Sequence, residues 1–240
     1  MIKNNYLKQW CKIGLIIGMG ITGIIASTIV CNASSMDEIQ MNEIDQVYGL
    51  EFNLTLDEFK ENYNDVRNDY FANTEFSSSW DEELKNEHII SLEDDVTSLP
   101  EYYNEPYSYE LQDGYGGQVT DYNYVSRLMG DLIAQMTITV DDNDNIIGIR
   151  YVCANEKKEL MEIDWTNFVL ILKALNLDSD SIMDKLVENV DEIGVIIYYK
   201  DGVAIWNQNS DSGYPMLYID AYTQELFEQN FTGFPDSIYE

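Results

Sequence analysis

The 240-residue chain predicts an α+β fold, with helices packed on one face of an antiparallel β-sheet and an N-terminal signal peptide or membrane anchor ahead of it. Three observations carry that expectation. Several segments alternate apolar and polar side chains with the period of two that a half-buried strand requires. Other segments repeat apolar residues at helical spacing behind a capping residue. Tight turn residues, Asp201-Gly202 above all, join neighbouring runs so closely that the strands must lie antiparallel. Helices beside such a sheet make the α+β class.

The chain opens with Lys3, Lys8 and Lys12, then an uncharged apolar run from Ile13 to Val30, then Cys31-Asn32-Ala33. Basic start, oily middle and small residues at the end are the layout of a signal peptide over residues 1–33. The run also reaches the length of a bilayer span, which needs about 20 residues and at least about 17. A retained anchor is therefore the second form of the same expectation, with Gly14-x-x-x-Gly18 suited to close helix pairing. Lipidation at Cys31 is disfavoured by the bulky Val30 before it. Acidic residues begin only at Asp37, an asymmetry that places the C-terminal part outside the membrane. The same run spells Gly18-x-Gly20-x-x-Gly23, the fingerprint of a dinucleotide-binding loop. That loop must lead into an amphipathic helix and a later strand bearing an acid. Ile21 to Val30 has no charged face, and Asp37 and Glu38 stand in a polar linker, so the match is a coincidence.

Residues 34–47 read as a flexible linker, and 48–240 as an extracytoplasmic α+β domain with room for a subdivision near 100–118. Thr55 and Glu58 spell a capping box, followed by Leu56, Phe59, Tyr63, Val66 and Tyr70 at helical spacing. Tyr107, Tyr109 and Leu111 alternate as an edge strand does. Leu132 to Val140 and Ile147 to Cys153 alternate on either side of "DDNDN", which reads as a β-hairpin. Val125 to Met136 fits a helix as well as a strand, and only its continuity with Thr137 to Val140 favours the strand. Two helices follow: one capped by Asp164 with Trp165, Phe168, Val169, Leu172 and Leu175 inward, one capped by Asp178 or Ser179 with Ile182, Leu186, Val187 and Val190 inward. "GVIIYYKDGVAIWN" is a hairpin turning at Asp201-Gly202, and "PMLYIDAY" adds a strand.

The helix opened by "LTLDEFKENYN", the strand–acidic turn–strand "ITVDDNDNIIGI" and the later helix pair and hairpin resemble small exported, cell-envelope proteins of Gram-positive bacteria that have no assigned activity. The likeness is one of layout over most of the chain beyond the leader. It implies a location and a fold class, and no functional residue.

Composition narrows the partners. The chain carries 13 Lys and Arg against 44 Asp and Glu, a net charge of −31; loss of residues 1–33 removes three of the basic residues and none of the acidic ones, leaving −34. Such a charge repels nucleic acid and anionic lipid, so a membrane contact is expected only through the apolar segment. Cys153 is the one cysteine beyond the leader, which excludes an internal disulfide and a cysteine-based zinc site there. Flanked by Val152 and Ala154, it reads as a small buried hydrophobe. His88 is the only histidine, and no Gly-x-Ser-x-Gly is present, so histidine-dependent catalysis has no support.

Three chemistries remain. Asp141, Asn143 and Asn145 occupy the first, third and fifth ligand positions of a calcium loop, but Ile146 stands where glycine must turn the chain and Val152 where a bidentate glutamate belongs. No bound cofactor is expected beyond weak calcium there or at the similar run Asn207, Asn209 and Asp211, where Ser212 stands in place of the glycine. A carboxylate-dependent glycan hydrolase needs two acids across a cleft, for which Asp81, Glu82 and Glu83 beside Trp80 and Asp164 beside Trp165 are the candidates, each explained as readily by surface charge or a helix cap. Seven tyrosines fall between residues 102 and 124, and Tyr102, Tyr103, Tyr107 and Tyr109 make the candidate platform for a protein or glycan partner. The reading that accommodates most of these features is an exported, acidic, non-catalytic binding protein of the bacterial cell surface, with a divalent-cation-responsive surface domain as a further alternative.

Overall fold

A computed structural model describes residues 51–74, 89–92, 106–110, 118–128, 131–155 and 157–231. The expectations for the leader and linker, for Trp80 to Glu83, for His88 and for Tyr102 and Tyr103 lie outside the described residues. In chain order the described elements are α1 (Leu56–Asn73), β1 (Tyr107–Glu110), β2 (Gln118–Leu128), β3 (Asp131–Val140), β4 (Ile146–Cys153), α2 (Glu162–Ala174), α3 (Ser179–Ile193), β5 (Ile197–Lys200), β6 (Val203–Asn209), β7 (Pro215–Ala221) and α4 (Gln224–Asn230). Among them no helix is long and apolar enough to cross a membrane.

The strands make a seven-stranded sheet in the order β1-β2-β3-β4-β7-β6-β5, with every pair antiparallel. Most neighbours are consecutive in the chain. The exception is β4 with β7, where Gly148 to Val152 pair with Asp220 to Met216. Between those two strands the chain passes through α2 and α3, makes β5 and returns strand by strand to β4.

Local chemistry explains the helix boundaries. Glu58 N donates to Thr55 Oγ1 (3.3 Å) and Thr55 N donates to Glu58 Oε2 (3.0 Å), the reciprocal box the sequence spells. The segment entering α1 is stitched to the β3–β4 turn, with Phe52 N donating to Ile146 O, Ile146 N to Leu54 O and Leu56 N to Asp144 O. Asp178 caps α3 through Ser181 N, and Gly194 closes it in the left-handed region at φ 77°. Asp201 and Gly202 both take positive φ (50° and 87°), as a two-residue hairpin demands.

One face of the sheet carries the main core. Tyr124, Met136, Ile138, Ile149, Tyr151, Ile205, Leu217 and Ile219 point into it, covered by Phe59 and Tyr63 of α1, Trp165, Phe168, Ile171 and Leu172 of α2, and Ile182 and Leu186 of α3. Ile90 bridges the first two helices: its N–H donates to Asn167 Oδ1 (3.0 Å) and its carbonyl accepts from Tyr63 OH (3.1 Å). The strap is buried without orphaning its backbone.

Three expectations need correction. Helices do not sit on one face alone, because α4 lies on the other: Phe227 and Phe231 pack there on Ile197, Tyr199, Trp206 and Tyr218. The strand read through Val125 to Met136 is two strands, β2 ending at Leu128 and β3 beginning at Asp131. Asp164 is the third residue of α2 and not its N-cap; it receives the Met161 N–H (2.7 Å) from inside the first turn. A smaller departure concerns Ile147. The register slips between Thr139/Gly148 and Val140/Ile146, so Ile147 is a bulge that turns to the second face, out of alternation with Ile149.

Phe227 is fully buried and stacks on Tyr199 at 4.6 Å. Its truncation in Phe227→Ala removes the centre of the second cluster and is expected to cost about 3–5 kcal/mol in urea unfolding. A loss below about 1 kcal/mol, in the range of a surface substitution, would show that α4 does not cap this face.

Candidate functional site

The second face of the sheet is divided. On β5, β6 and β7 it is aromatic and sealed by α4: Trp206 lies 3.9 Å from Tyr218 with rings 6° from parallel, and Phe231 tilts onto Trp206 at 5.5 Å. On β2, β3 and β4 the same face is polar, and no described helix lies over it. Two cross-strand rows lie side by side there. One runs Asn123, Thr137, Arg150, Tyr218, Trp206; the next runs Asp121, Thr139, Gly148, Asp220, Ala204.

Hydrogen bonds knit the polar rows together. Thr137 Oγ1 donates to Asn123 Oδ1 (2.8 Å), Gln135 Nε2 donates to the same oxygen (3.2 Å), and Arg150 Nη2 reaches Thr137 Oγ1 at 3.3 Å. Thr139 Oγ1 donates to Asp121 Oδ1 at 2.6 Å. Gly148 interrupts the second row, so no side chain fills the position between Thr139 and Asp220. The two threonines are buried among longer neighbours, whereas Asp121, Asn123, Gln135 and Arg150 are half-buried.

Electrostatics set the character of this surface. Asp220 is buried where β7 meets the aromatic cluster, and that burial pushes its carboxyl up to about 7. The Trp206 indole N–H (2.8 Å from Oδ2) and the charge of Arg150 oppose the rise and do not cancel it. Burial also raises Asp121, against the Thr139 hydroxyl and Arg150. These two acids are three strand positions apart, and at about 4.8 Å per strand their backbones stand about 14 Å apart. Each leans to its own donor. Two carboxyls that share one glycosidic bond stand about 5–10 Å apart, so this pair lacks a hydrolase geometry.

The other sequence candidates resolve as follows. Tyr107 projects from the edge strand and is 65% exposed, opposite Asp121, while Tyr109 pairs by register with Val119. Tyr124 points the other way and is buried in the main core. The tyrosine segment is therefore split between core and surface. Asp141, Asn143 and Asn145 do come together at the β3–β4 turn, where Asp141 Oδ1 accepts from Asn143 N (2.9 Å) and Asn145 N (2.8 Å), and Asn145 Nδ2 donates to Glu51 Oε2 (2.8 Å). Asp144 takes φ 62° to complete the turn, so these side chains build a hairpin. Among the described residues no group of three His, Cys, Asp or Glu is placed to hold a metal ion.

Asp164 and Cys153 form a separate buried cluster on the main-core side. Tyr151 OH donates to Asp164 Oδ1 (2.7 Å), and Met161 N occupies Oδ2, which also lies 3.5 Å from Cys153 Sγ. Burial and the adjacent carboxylate push the thiol up to about 12. It is a protonated, inert cysteine, as its apolar flanks suggest. The Asp164–Trp165 pair has no cleft chemistry, because Trp165 is core and both carboxylate oxygens are committed.

Sequence reasoning missed Arg150, Asp121 and Asp220. A signal was present: in "DYNYV" and "QMTITV" the residues alternating with the core are polar, and Arg150 is the one charge inside "IIGIRYVC".

The raised carboxyl of Asp220 has a definite pH signature. The unfolded side chain releases its proton near 3.8, while the folded one keeps it up to about 7. Between those values the native state binds the extra proton, so this group's contribution to stability is full at low pH and is lost as pH rises toward 7. The thermal midpoint should climb as pH falls from about 7.5 to 5, and Asp220→Asn should flatten that slope while keeping an acceptor for Trp206. Parallel slopes in the two proteins would show that Asp220 ionises normally.

Comparisons of the chain with protein-family models, with curated proteins and with solved structures returned no match.

Proposed function

We propose that the protein is an exported, acidic, non-catalytic binding protein of the bacterial cell surface, working through the polar half of its second sheet face. One observation carries the reading. A face that is aromatic and sealed by α4 over β5 to β7 becomes, on β2 to β4, a ladder of hydrogen-bonding side chains bordered by the exposed Tyr107. A sheet face that served only to be solvated would need no cross-strand network of Asn123, Gln135, Thr137 and Arg150. A partner that reads polar groups gains from having them held in place beforehand. Tyr107 adds an amphipathic ring at the edge, the residue type most often found anchoring protein or sugar partners.

Support for the address comes from the basic, apolar and small-residue order of residues 1–33. The charge of −31 suits a soluble face outside the membrane and partners that are neutral or cationic overall.

The test uses the full chain in a Gram-positive host. Fractionation with intact-mass analysis should find it outside the cytoplasm, beginning at Ser34 if the leader is cut after Ala33, or at the membrane at full length if it is an anchor. In parallel, binding of the purified domain to isolated envelope material should fall on the order of tenfold in Tyr107→Ala, as for an interface anchor. Full-length protein confined to the cytosol would overturn the address. Unchanged envelope binding by Tyr107→Ala would remove that edge from the site.

A further inference from the structure

Asp220 is 3% exposed, and the groups that touch its carboxyl belong to the seal over the aromatic half of the second face. Its immediate row neighbours, Gly148 and Ala204, carry nothing larger than a methyl group and cannot cover it. The contacts come instead from the Trp206 indole, which donates at 2.8 Å, and from the Tyr222 hydroxyl. α4 holds both of these in place. Phe231 lies 5.5 Å from the Trp206 ring, and Phe227 stacks at 4.6 Å on Tyr199, whose hydroxyl donates to the Tyr222 carbonyl (3.2 Å). The charges nearby are few. Arg150 acts on Asp220 from β4, but it also acts on Asp121 and bonds the Tyr218 hydroxyl. α4 turns Phe227 and Phe231 inward and leaves Glu225 and Glu228 exposed. A helix of seven residues has no stability of its own, so α4 stays formed only while it is docked.

We propose that α4 is a latch coupled to the proton on Asp220: the protonated acid lets the helix seal the aromatic face, and the ionised acid favours undocking, which bares the Trp206–Tyr218 stack. This goes beyond the binding role of the polar half and does not depend on it. Undocking α4 is the smallest motion that returns water to Asp220, because β4, β7 and β6 stay paired on either side. The direction follows from linkage. With α4 docked, burial keeps the carboxyl protonated up to about 7; with α4 away, the proton leaves near the ordinary 3.8. Opening therefore releases a proton between those values, and the undocked fraction climbs as pH rises. Above about 7 both states are ionised and the climb levels off. An Arg150 side chain that swung onto the ionised carboxyl would instead leave α4 docked, so the two responses differ in what α4 does.

The test is amide hydrogen exchange on the nitrogen-15-labelled full chain, held in mild detergent, at about pH 5 to 8 and corrected for the intrinsic pH dependence of exchange. The Phe227 and Phe231 amides, which donate along α4, report its opening, and those of Ile149 and Leu217 report the sheet. The expected result is an α4 opening of lower free energy than that of the sheet. Its equilibrium constant should rise about fiftyfold from pH 5 to 7 and level off above. Asp220→Asn, which keeps an acceptor and cannot ionise, should remove the rise. Three results overturn the proposal: α4 amides that exchange only when the whole sheet opens, an α4 opening indifferent to pH, or a pH dependence that survives in Asp220→Asn. Should that variant not fold, the Asp220 carboxyl carbon is titrated in the native protein. Its midpoint should coincide with the pH at which the α4 rise levels off, and separate midpoints overturn the coupling.

Discussion

Five residue pairs between β4 and β7, from Gly148 opposite Asp220 to Val152 opposite Met216, hold the two halves of the sheet together. Every other strand pairing joins chain neighbours and forms at the entropic cost of a short loop. This one closes over two helices and two strands. Loop closure grows only slowly in cost with length, so what the pairing must overcome is mainly the ordering of α2 and α3. The core under the sheet provides the return, since Ile149 and Tyr151 of β4 and Leu217 and Ile219 of β7 face the same helices. With β4 in the centre, apolar side chains of the six strands β2 to β7 reach one continuous layer.

The same pairing decides what the second face looks like. It sets Arg150 opposite Tyr218 and Gly148 opposite Asp220, and so brings the polar rows of β2 to β4 against the aromatic cluster of β5 to β7. Asp220 stands on the boundary. Packing there withdraws it from water, and the Trp206 indole N–H, the Arg150 guanidinium and the Tyr222 hydroxyl do not make up the loss, which keeps the proton on at mildly acid pH. Asp164, inside the main core, has a hydroxyl, a backbone N–H and a thiol around it, and burial still raises it. The first acid borders the polar rows of the second face. The second fastens α2 to β4.

What could be read from the sequence was whatever is decided within a few residues. Thr55 with Glu58, Asp178, and Asp201-Gly202 each act through their own neighbours, and each appears in the structure in the role its spacing implied. The division of Val125 to Met136 was hidden because that stretch is apolar at both the helical and the strand period. Asp164 looked like a cap because it precedes an apolar helical stripe, when its carboxylate reaches back from within the first turn. α4 offers only seven residues, too few for a periodic signal. The candidate site was hardest to see. Asn123, Thr137 and Arg150 become neighbours only once three strands are in register, and Asp220 joins them through a pairing more than 60 residues long in sequence. The tyrosines were conspicuous in the sequence and scattered by the fold, with Tyr124 sent inward and Tyr107 outward.

If β4 and β7 are the joint on which core and surface both depend, their amides can exchange with solvent only when the whole sheet opens. Native-state hydrogen exchange measured across a denaturant series tests this directly. The account predicts that the amides of Ile149, Tyr151, Leu217 and Ile219 share one opening free energy, equal to that of global unfolding, with β1 exchanging faster at the edge. It would be contradicted if β5, β6 and β7 opened together at a lower free energy while β2, β3 and β4 stayed protected, because the two halves would then be separate units that merely touch.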